Sequence, residues 1–567
     1  MRVHLVRFTV LVLVALFAPA LRAKAPERGP SKWEDPALRK LFPTSRSLPK
    51  AYRVRPEDNA ARYLIGGQVL TVSPEKQRPV FSPIGVRKAG GKFEPLLLGY
   101  EPTLGPKDAK AAVRAAQQAW RGGRGAWPRA SMEERITAVE RFATYLEVNT
   151  DRIATLLMLE IGKPYEAART EVKRTVEYVR RTLVEARALE EEGRRVYSDG
   201  QGGGQRFGRT ALKPVGTVLA VAPFNYPINE GLTAIIPALL MGNVVIAKTP
   251  RFGVLANQAL LEGFAAAFPK GVVSVLPGDG RVLLPEIMKA KTRQGRPAID
   301  VLSFIGGERG ARAVVKSHPE PELWLQKILG LGAKNAGVVL RGAKPAAIVD
   351  QLLEGALGFN GQRCTAEKIL FVPRSLAAEL KPLLKERMAA YEPAMPWRKG
   401  AKITPLVEPG KAGAMQAYVD DALGKGAELL SGGSSYQSVM RPALLWGVTD
   451  QMTIAKEEQF GPVVPVVIYD DLREVYRWHR NTPFGQQVSV FGPEKDVARV
   501  AERLEVSVAR VNQNHTSQRS PDSFPFTGTR FSGLGTLSLR DALVSFSRPV
   551  VKSARTAGEL SGGGGPD

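Results

Sequence analysis

The chain carries a single cysteine among 567 residues, within Gly358-Phe359-Asn360-Gly361-Gln362-Arg363-Cys364-Thr365-Ala366-Glu367-Lys368. One thiol permits no intrachain disulfide. A thiolate adds to a carbonyl carbon and leaves readily from a thioester, so Cys364 is a candidate nucleophile for acyl chemistry. A free cysteine more often packs as a small hydrophobe. The residues around this one favour a cleft instead. Gly358, Asn360, Gly361, Gln362 and Arg363 make a polar, glycine-rich turn rather than a core strand, and Arg363 would favour the thiolate.

The elements that must position such a loop are legible in the pattern around it. From Pro106 to about Arg187 the sequence is alanine-rich and amphipathic, with a capping box at Ser131 and Glu134, which predicts a helical layer. The acidic stretch before Gly193 marks its end, and residues 194–213 read as a hairpin excursion. Strands are then expected over 216–222, 244–247, 272–276 and 301–304, with helices over 232–241 and 254–268 between them. A second alternating region has strands over 336–340, 369–372, 463–469 and 488–491 and a helix over 376–391. Residues 543–551 have strand-like portions. Strand and helix alternating at this spacing predict an α/β fold with parallel sheets covered on both faces and ligands at strand C-terminal ends. Asn225, Lys248, the Gly278-Asp279-Gly280 turn and the Gly306-Gly307 turn all fall at such ends.

The Gly-Gln-Arg-Cys-Thr-Ala run resembles the nucleophile loop of the aldehyde dehydrogenase superfamily. Pro223-Phe224-Asn225-Tyr226-Pro227, Ala247-Lys248-Thr249-Pro250 and Glu457-Glu458-Gln459-Phe460-Gly461-Pro462-Val463 match further family motifs in the right order, and the similarity spans about residues 63–552. The Phe-Asn-Tyr-Pro wording and the segment Gln518-Arg519-Ser520-Pro521-Asp522-Ser523-Phe524-Pro525-Phe526 look most like the NADP-dependent, non-phosphorylating glyceraldehyde-3-phosphate dehydrogenases. The resemblance implies an aldehyde dehydrogenase-like α/β fold with three parts. These are a Rossmann-like cofactor domain (59–330, with a bridging arm at 194–213), an α/β catalytic domain (331–525) and an oligomerisation segment (526–555). A homodimer or homotetramer is expected.

By the same resemblance, Cys364 is the nucleophile and Asn225 shares the oxyanion with the Cys364 backbone N–H. Lys248 would bond the adenosine ribose, Glu458 the nicotinamide ribose, and Phe460 would pack beside the nicotinamide. Gly278, Gly306 and Gly307 belong to the cofactor turns. No Gly-x-Gly-x-x-Gly follows a strand here, so a conventional dinucleotide fingerprint is absent. Arg251 stands where relatives that prefer NAD place an acid. A guanidinium there favours a 2′-phosphate, hence NADP with NAD as the alternative. Arg363 and Arg519 match arginines that hold a substrate phosphate. Arg181 falls about where that branch has a phosphate-binding tyrosine, and Arg129 near another of its arginines. The expected partner is a small phosphorylated aldehyde.

One departure concerns release of the acyl group. The superfamily commonly reads Leu-Glu-Leu-Gly-Gly-Lys, whose glutamate activates water; this chain reads Leu329-Gly330-Leu331-Gly332-Ala333-Lys334-Asn335, with no carboxylate between Glu322 and Asp350. The Gly332-Ala333-Lys334-Asn335 wording resembles methylmalonate-semialdehyde dehydrogenases, which release acyl groups to coenzyme A. Three functions therefore stand: hydrolytic oxidation of glyceraldehyde 3-phosphate, acyl transfer to coenzyme A, or an impaired oligomeric binding homologue.

Composition bounds the remainder. A hydrophobic content of 44% is that of a soluble globular protein, whereas a net charge of +25 is unusual. No basic block interleaves with aromatics, so the charge reads as attraction to anionic cofactor and substrate rather than a nucleic-acid surface. No metal-ligand spacing occurs. Residues 1–22 have a signal-like pattern of two arginines and a short uncharged apolar run, too short to span a bilayer. Secretory or plastid-type targeting conflicts with a cytoplasmic cofactor, and the compartment stays open. Residues 23–58 and 556–567 are expected to be disordered.

Overall fold

The structure, a computed structural model, describes residues 32–88, 92–199 and 206–561. The signal-like leader and the last six residues lie outside them.

The buried apolar runs Thr217–Val221, Val244–Lys248 and Val273–Leu276 pair in parallel, and Val301–Ile305 adds on the other side of the first, followed by Gln326–Gly330. The hairpin of Arg62–Ile65 and Gln68–Thr71 extends one edge antiparallel, and Gly533–Leu534 extends the other. The chain reverses its direction of travel across this sheet between Thr217–Val221 and Val301–Ile305. The crevice there is where open α/β sheets bind ligands.

In a second sheet Asn335–Val339 is flanked in parallel by Glu367–Pro373, the central strand, and Gln487–Phe491. Val463–Tyr469, Ala443–Trp446 and Arg510–Gln513 continue it in parallel, and Glu428–Ser431 closes one edge antiparallel. Three helices, Met132–Val148, Thr150–Ile161 and Tyr165–Glu192, form the helical layer. Ser131 and Glu134 make the reciprocal capping bonds. The helix Pro106–Trp120 instead packs on the first sheet, with Ala109, Ala112 and Val113 against Leu219, Val244 and Ile246. Arg206–Pro214 pairs antiparallel with Ser547–Ala554 and with Tyr197–Asp199, forming a third, three-stranded sheet.

Three local expectations are corrected. The helix expected over 254–268 is two helices, Val254–Gln258 and Leu261–Ala267, because the Tyr145 hydroxyl donates to the Ala259 carbonyl (2.9 Å) at the break. The segment 543–551 splits into the end of a helix, Leu539–Ser545, and the start of a strand. Residues 32–58 are ordered rather than a disordered linker. Leu38 and Phe42 are fully buried, Phe42 meets the rings of Phe93 and Tyr436 at 4.9 and 6.0 Å, and Asp35 pairs with Arg441 at 2.9 Å. A few large apolar groups anchor a segment whose composition is otherwise that of a linker.

Phe42→Ala is therefore expected to destabilise the protein by about 3–5 kcal/mol, the usual cost of deleting a buried aromatic. Equilibrium denaturation checks this; an unchanged midpoint would mean that the segment does not dock.

Candidate active site

The helix Pro345–Leu357 ends in a backbone that few residues tolerate. Phe359, Asn360 and Gly361 all have positive φ (49°, 58° and 67°). For the two non-glycine residues this costs about 1–3 kcal/mol each. Gly361 has no alternative, since a Cβ would sit 2.7 Å from the Gly461 carbonyl oxygen and 2.8 Å from that of Ala356. Buried Asn360 is fixed by accepting the Thr404 N–H at 2.8 Å. Beyond the turn, Lys368 Nζ donates to the carbonyls of Arg363 (2.7 Å) and Cys364 (2.8 Å), and Asn335 Nδ2 also donates to the Cys364 carbonyl (2.8 Å). Their carbonyls are thus held away from the cleft, and among the described residues the Cys364 N–H has no protein acceptor.

Asn225 follows the strand Thr217–Val221. Its Nδ2 donates to the Gln362 carbonyl at 3.0 Å, two residues before the cysteine. That leaves a second amide hydrogen, which with the Cys364 N–H can serve an oxyanion formed at the sulfur. Lys163 and Glu171, a buried ion pair at 2.5 Å, fix this loop. Lys163 Nζ donates to the Asn225 carbonyl at 3.1 Å and sits 3.4 Å from the centroid of the Tyr226 ring. Glu171 Oε1 accepts the N–H groups of Ile228 and Asn229, both at 3.1 Å.

The Cys364 thiol is half-buried, and its pKa is pushed up to about 11. Burial is the main cause, followed by the charge of Glu230; Lys368 and a hydrogen bond with Gln486 oppose them. At neutral pH the thiol is protonated.

The cofactor candidates come together from both sheets. Lys248 ends its strand fully buried, and burial lowers its pKa to about 8, opposed by Glu101. Its neighbour Thr249 has a buried hydroxyl with no protein partner among the described residues. Arg251 is exposed, with its guanidinium 5.2 Å from the Phe252 ring centroid. Gly278, at φ +107°, turns the chain into the helix Gly280–Met288. Gly306 and Gly307 lead into Glu308–Lys316, and a Cβ on Gly307 would meet nothing within 4 Å. From the other sheet, Phe460 contacts Phe224 at 5.8 Å, and Glu458 pairs with Lys368 at 3.2 Å. An open helix N-terminus, a buried lysine beside an orphaned hydroxyl, and an exposed arginine make a donor set that fits a dinucleotide phosphate.

The substrate arginines separate. Buried Arg519 pairs through Nη1 with Glu230 and lies 3.4 Å from Asp522, while its Nε and Nη2 have no hydrogen-bond partner among the described residues. Arg363 folds back, donating through Nη2 to the carbonyls of Glu354 (3.1 Å) and Gly355 (2.9 Å). Arg181 and Arg129 are exposed and are not brought to this cluster. Arg174, two helical turns before Arg181, is the arginine of this helix that is: it binds Asp522 at 2.6 and 3.1 Å. Sequence reasoning missed Arg174, Asp522, Glu230, Lys163 and Glu171. A signal for Glu230 exists, as the one acid in the apolar stretch after Pro227.

Fold and comparison define an oxidoreductase, and the chain belongs to the aldehyde dehydrogenase family, whose sequence profile matches residues 97–551. It is 32% identical over 462 residues to an NADP-dependent glyceraldehyde-3-phosphate dehydrogenase of Streptococcus equinus, covering 80% of this chain and 92% of that one. The Pisum sativum enzyme of the same name is also 32% identical, over 74% and 82% of the two chains. Among solved structures, the NADP-dependent glyceraldehyde-3-phosphate dehydrogenase of Bacillus halodurans C-125, complexed with NADP, superposes with a TM-score of 0.78 at 30% identity, covering 87% of this chain and 99% of that one. The activity class is NAD(P)-dependent aldehyde oxidation. Among the described residues, no helix is long and apolar enough to cross a membrane.

With a thiol pKa near 11, alkylation of the free enzyme by iodoacetamide should accelerate about tenfold per pH unit from pH 7 to 10. A plateau already at pH 7 would contradict that charge balance. Lys163→Met should leave Glu171 buried and unpaired, costing about 3–5 kcal/mol in denaturation experiments.

Proposed function

We propose that the protein oxidises a small phosphorylated aldehyde, with glyceraldehyde 3-phosphate the leading candidate and NADP the acceptor. The observation that carries this is Arg519, a buried guanidinium that is ion-paired with Glu230 and Asp522 and whose Nη2 has no hydrogen-bond partner among the described residues. Guanidinium binds phosphate through paired N–H bonds, and an unpaired buried donor is costly unless a ligand completes it. Relatives named as NADP-dependent glyceraldehyde-3-phosphate dehydrogenases support the same substrate. Exposed Arg251 supports NADP over NAD.

In this scheme the Cys364 sulfur adds to the aldehyde carbon as the thiol proton passes to solvent at the half-buried site. The Asn225 amide and the Cys364 N–H donate to the resulting oxyanion. A nicotinamide cofactor held by Lys248, Glu458 and Phe460 would supply the hydride acceptor, the acyl group then remaining on Cys364 as a thioester. Buried Lys368 and Asn225 flank the half-buried Cys364. A homo-oligomer through the three-stranded sheet is part of the proposal, supported by Tyr197 and Val551, which stand exposed there.

Gly330 favours a second reading, acyl transfer to coenzyme A. It has no positive φ, and a Cβ there would approach nothing closer than 3.4 Å, the side chain of Ile305. Neither backbone nor packing therefore demands glycine where relatives keep their base.

Arg519→Lys should raise KM for glyceraldehyde 3-phosphate selectively over unphosphorylated glyceraldehyde, and equal effects on both would contradict the phosphate role. Arg251→Glu should shift the NADP-to-NAD ratio of kcat/KM toward NAD by about 10–100-fold, the worth of one charge-assisted bond. An unchanged ratio would remove Arg251 from the cofactor site.

A further inference from the structure

Hydrolysing the Cys364 thioester needs a carboxylate that can accept a proton from water, and the usual position, Gly330, has none. Among the acids around the cleft, Glu171 is committed to Lys163 and to the N–H groups of Ile228 and Asn229. Glu458 pairs with Lys368 at 3.2 Å and stands in the motif that the resemblance assigns to the nicotinamide ribose. Glu367 faces away, against the Ser517 N–H (3.1 Å) and the backbones of Gly337 and Gly355. Glu230 remains. It sits in the first turn of the helix Asn229–Leu240, immediately after the loop that carries Asn225, and is almost wholly buried. Its backbone N–H is tied to the Tyr226 carbonyl at 3.1 Å, and the Glu171 carboxylate fixes the two residues before it. One carboxylate oxygen, Oε2, accepts from Arg519, and no hydrogen bond to the other, Oε1, is made among the described residues. No other charge weighs more heavily on the Cys364 thiol.

We propose that Glu230 is the general base for thioester hydrolysis, standing in for the missing residue at position 330. The inference rests on the aldehyde oxidation proposed above but not on the identity of the aldehyde. Glu230 Oε1 takes a proton from water as the water oxygen bonds to the acyl carbon. The carbon–sulfur bond then breaks, the electron pair leaves with the Cys364 sulfur, and the proton held by Glu230 returns to that sulfur. The products are the carboxylic acid and the free thiol, with water consumed and no change of oxidation state. Arg519, through Nη1, holds the carboxylate in place, so the anion-binding group and the base form one unit.

The test is pre-steady-state NADPH formation with glyceraldehyde 3-phosphate, followed by intact-protein mass measurement, for wild type, Glu230→Gln and Glu230→Gln combined with Gly330→Glu. Wild type should turn over without coenzyme A. Glu230→Gln should keep a burst of one NADPH per site and lose about 10²–10⁴-fold in steady-state rate, with the acyl adduct accumulating. Adding Gly330→Glu should restore turnover. Should Glu230→Gln misfold with Arg519 unpaired, Glu230→Asp keeps the charge and moves the oxygen by about 1 Å, for which a loss on the order of 100-fold in steady state is expected with the burst retained. An unchanged steady-state rate in the variant that folds would overturn the assignment. So would a wild-type burst that stalls until coenzyme A is added. Absence of any burst from the wild type with every aldehyde tried would instead reject the dehydrogenase function itself, and this inference with it.

Discussion

The buried Lys163–Glu171 pair is the constraint on which the site depends. Taking two charges out of water costs several kcal/mol each, and a pair of this kind adds little net stability unless further bonds satisfy both partners. Here they do: the ammonium also binds the Asn225 carbonyl and faces the Tyr226 ring, while the carboxylate also receives two backbone N–H groups. The return is geometric. The helical layer, which supplies both residues, clamps the loop carrying Asn225 and the first turn carrying Glu230. Phe359, 4.8 Å from Lys163, extends the same clamp to the turn before the nucleophile.

The cleft itself is a meeting of two sheet edges. Asn225, Lys248, Gly278 and Gly306 lie at the C-terminal ends of strands in the first sheet. Cys364, Glu458 and Phe460 lie at the N-terminal ends of strands in the second. The two edges touch where Asn225 bonds the Gln362 carbonyl and where Phe224 meets Phe460. Buried positive charge gathers on the second side. Lys334 and Lys368 both have lowered pKa values, chiefly from burial, and Lys368 is partly compensated by Glu458. The nucleophile therefore sits between Lys368, which favours its thiolate, and Glu230, which opposes it.

Much of this was legible in the sequence, and the misses have physical causes. Strands such as those expected over 301–304 and 463–469 announced themselves as short apolar runs between turn signals, and the motifs around Asn225 and Cys364 pointed to the cleft. Arg181 and Arg174 share a helix face two turns apart, so periodicity could not choose between them; Asp522, brought in from a segment more than 300 residues away, makes the choice. Arg363 could bond either a ligand or the carbonyls that end its own preceding helix, and it takes the carbonyls. Residues 32–58 read as disordered by composition, but docking needs only a few large groups in the right places. Glu230 went unread because its partner, Arg519, lies 289 residues further along the chain.

The most direct test of the central claim is a single-turnover mixture of enzyme, NADP and glyceraldehyde 3-phosphate, quenched in acid within the first turnover and digested for peptide mass mapping. The account predicts NADPH equal to the number of active sites and an acyl adduct confined to the peptide containing Cys364. NADPH formation that persists in Cys364→Ala, or that proceeds without any adduct on that peptide, would contradict it.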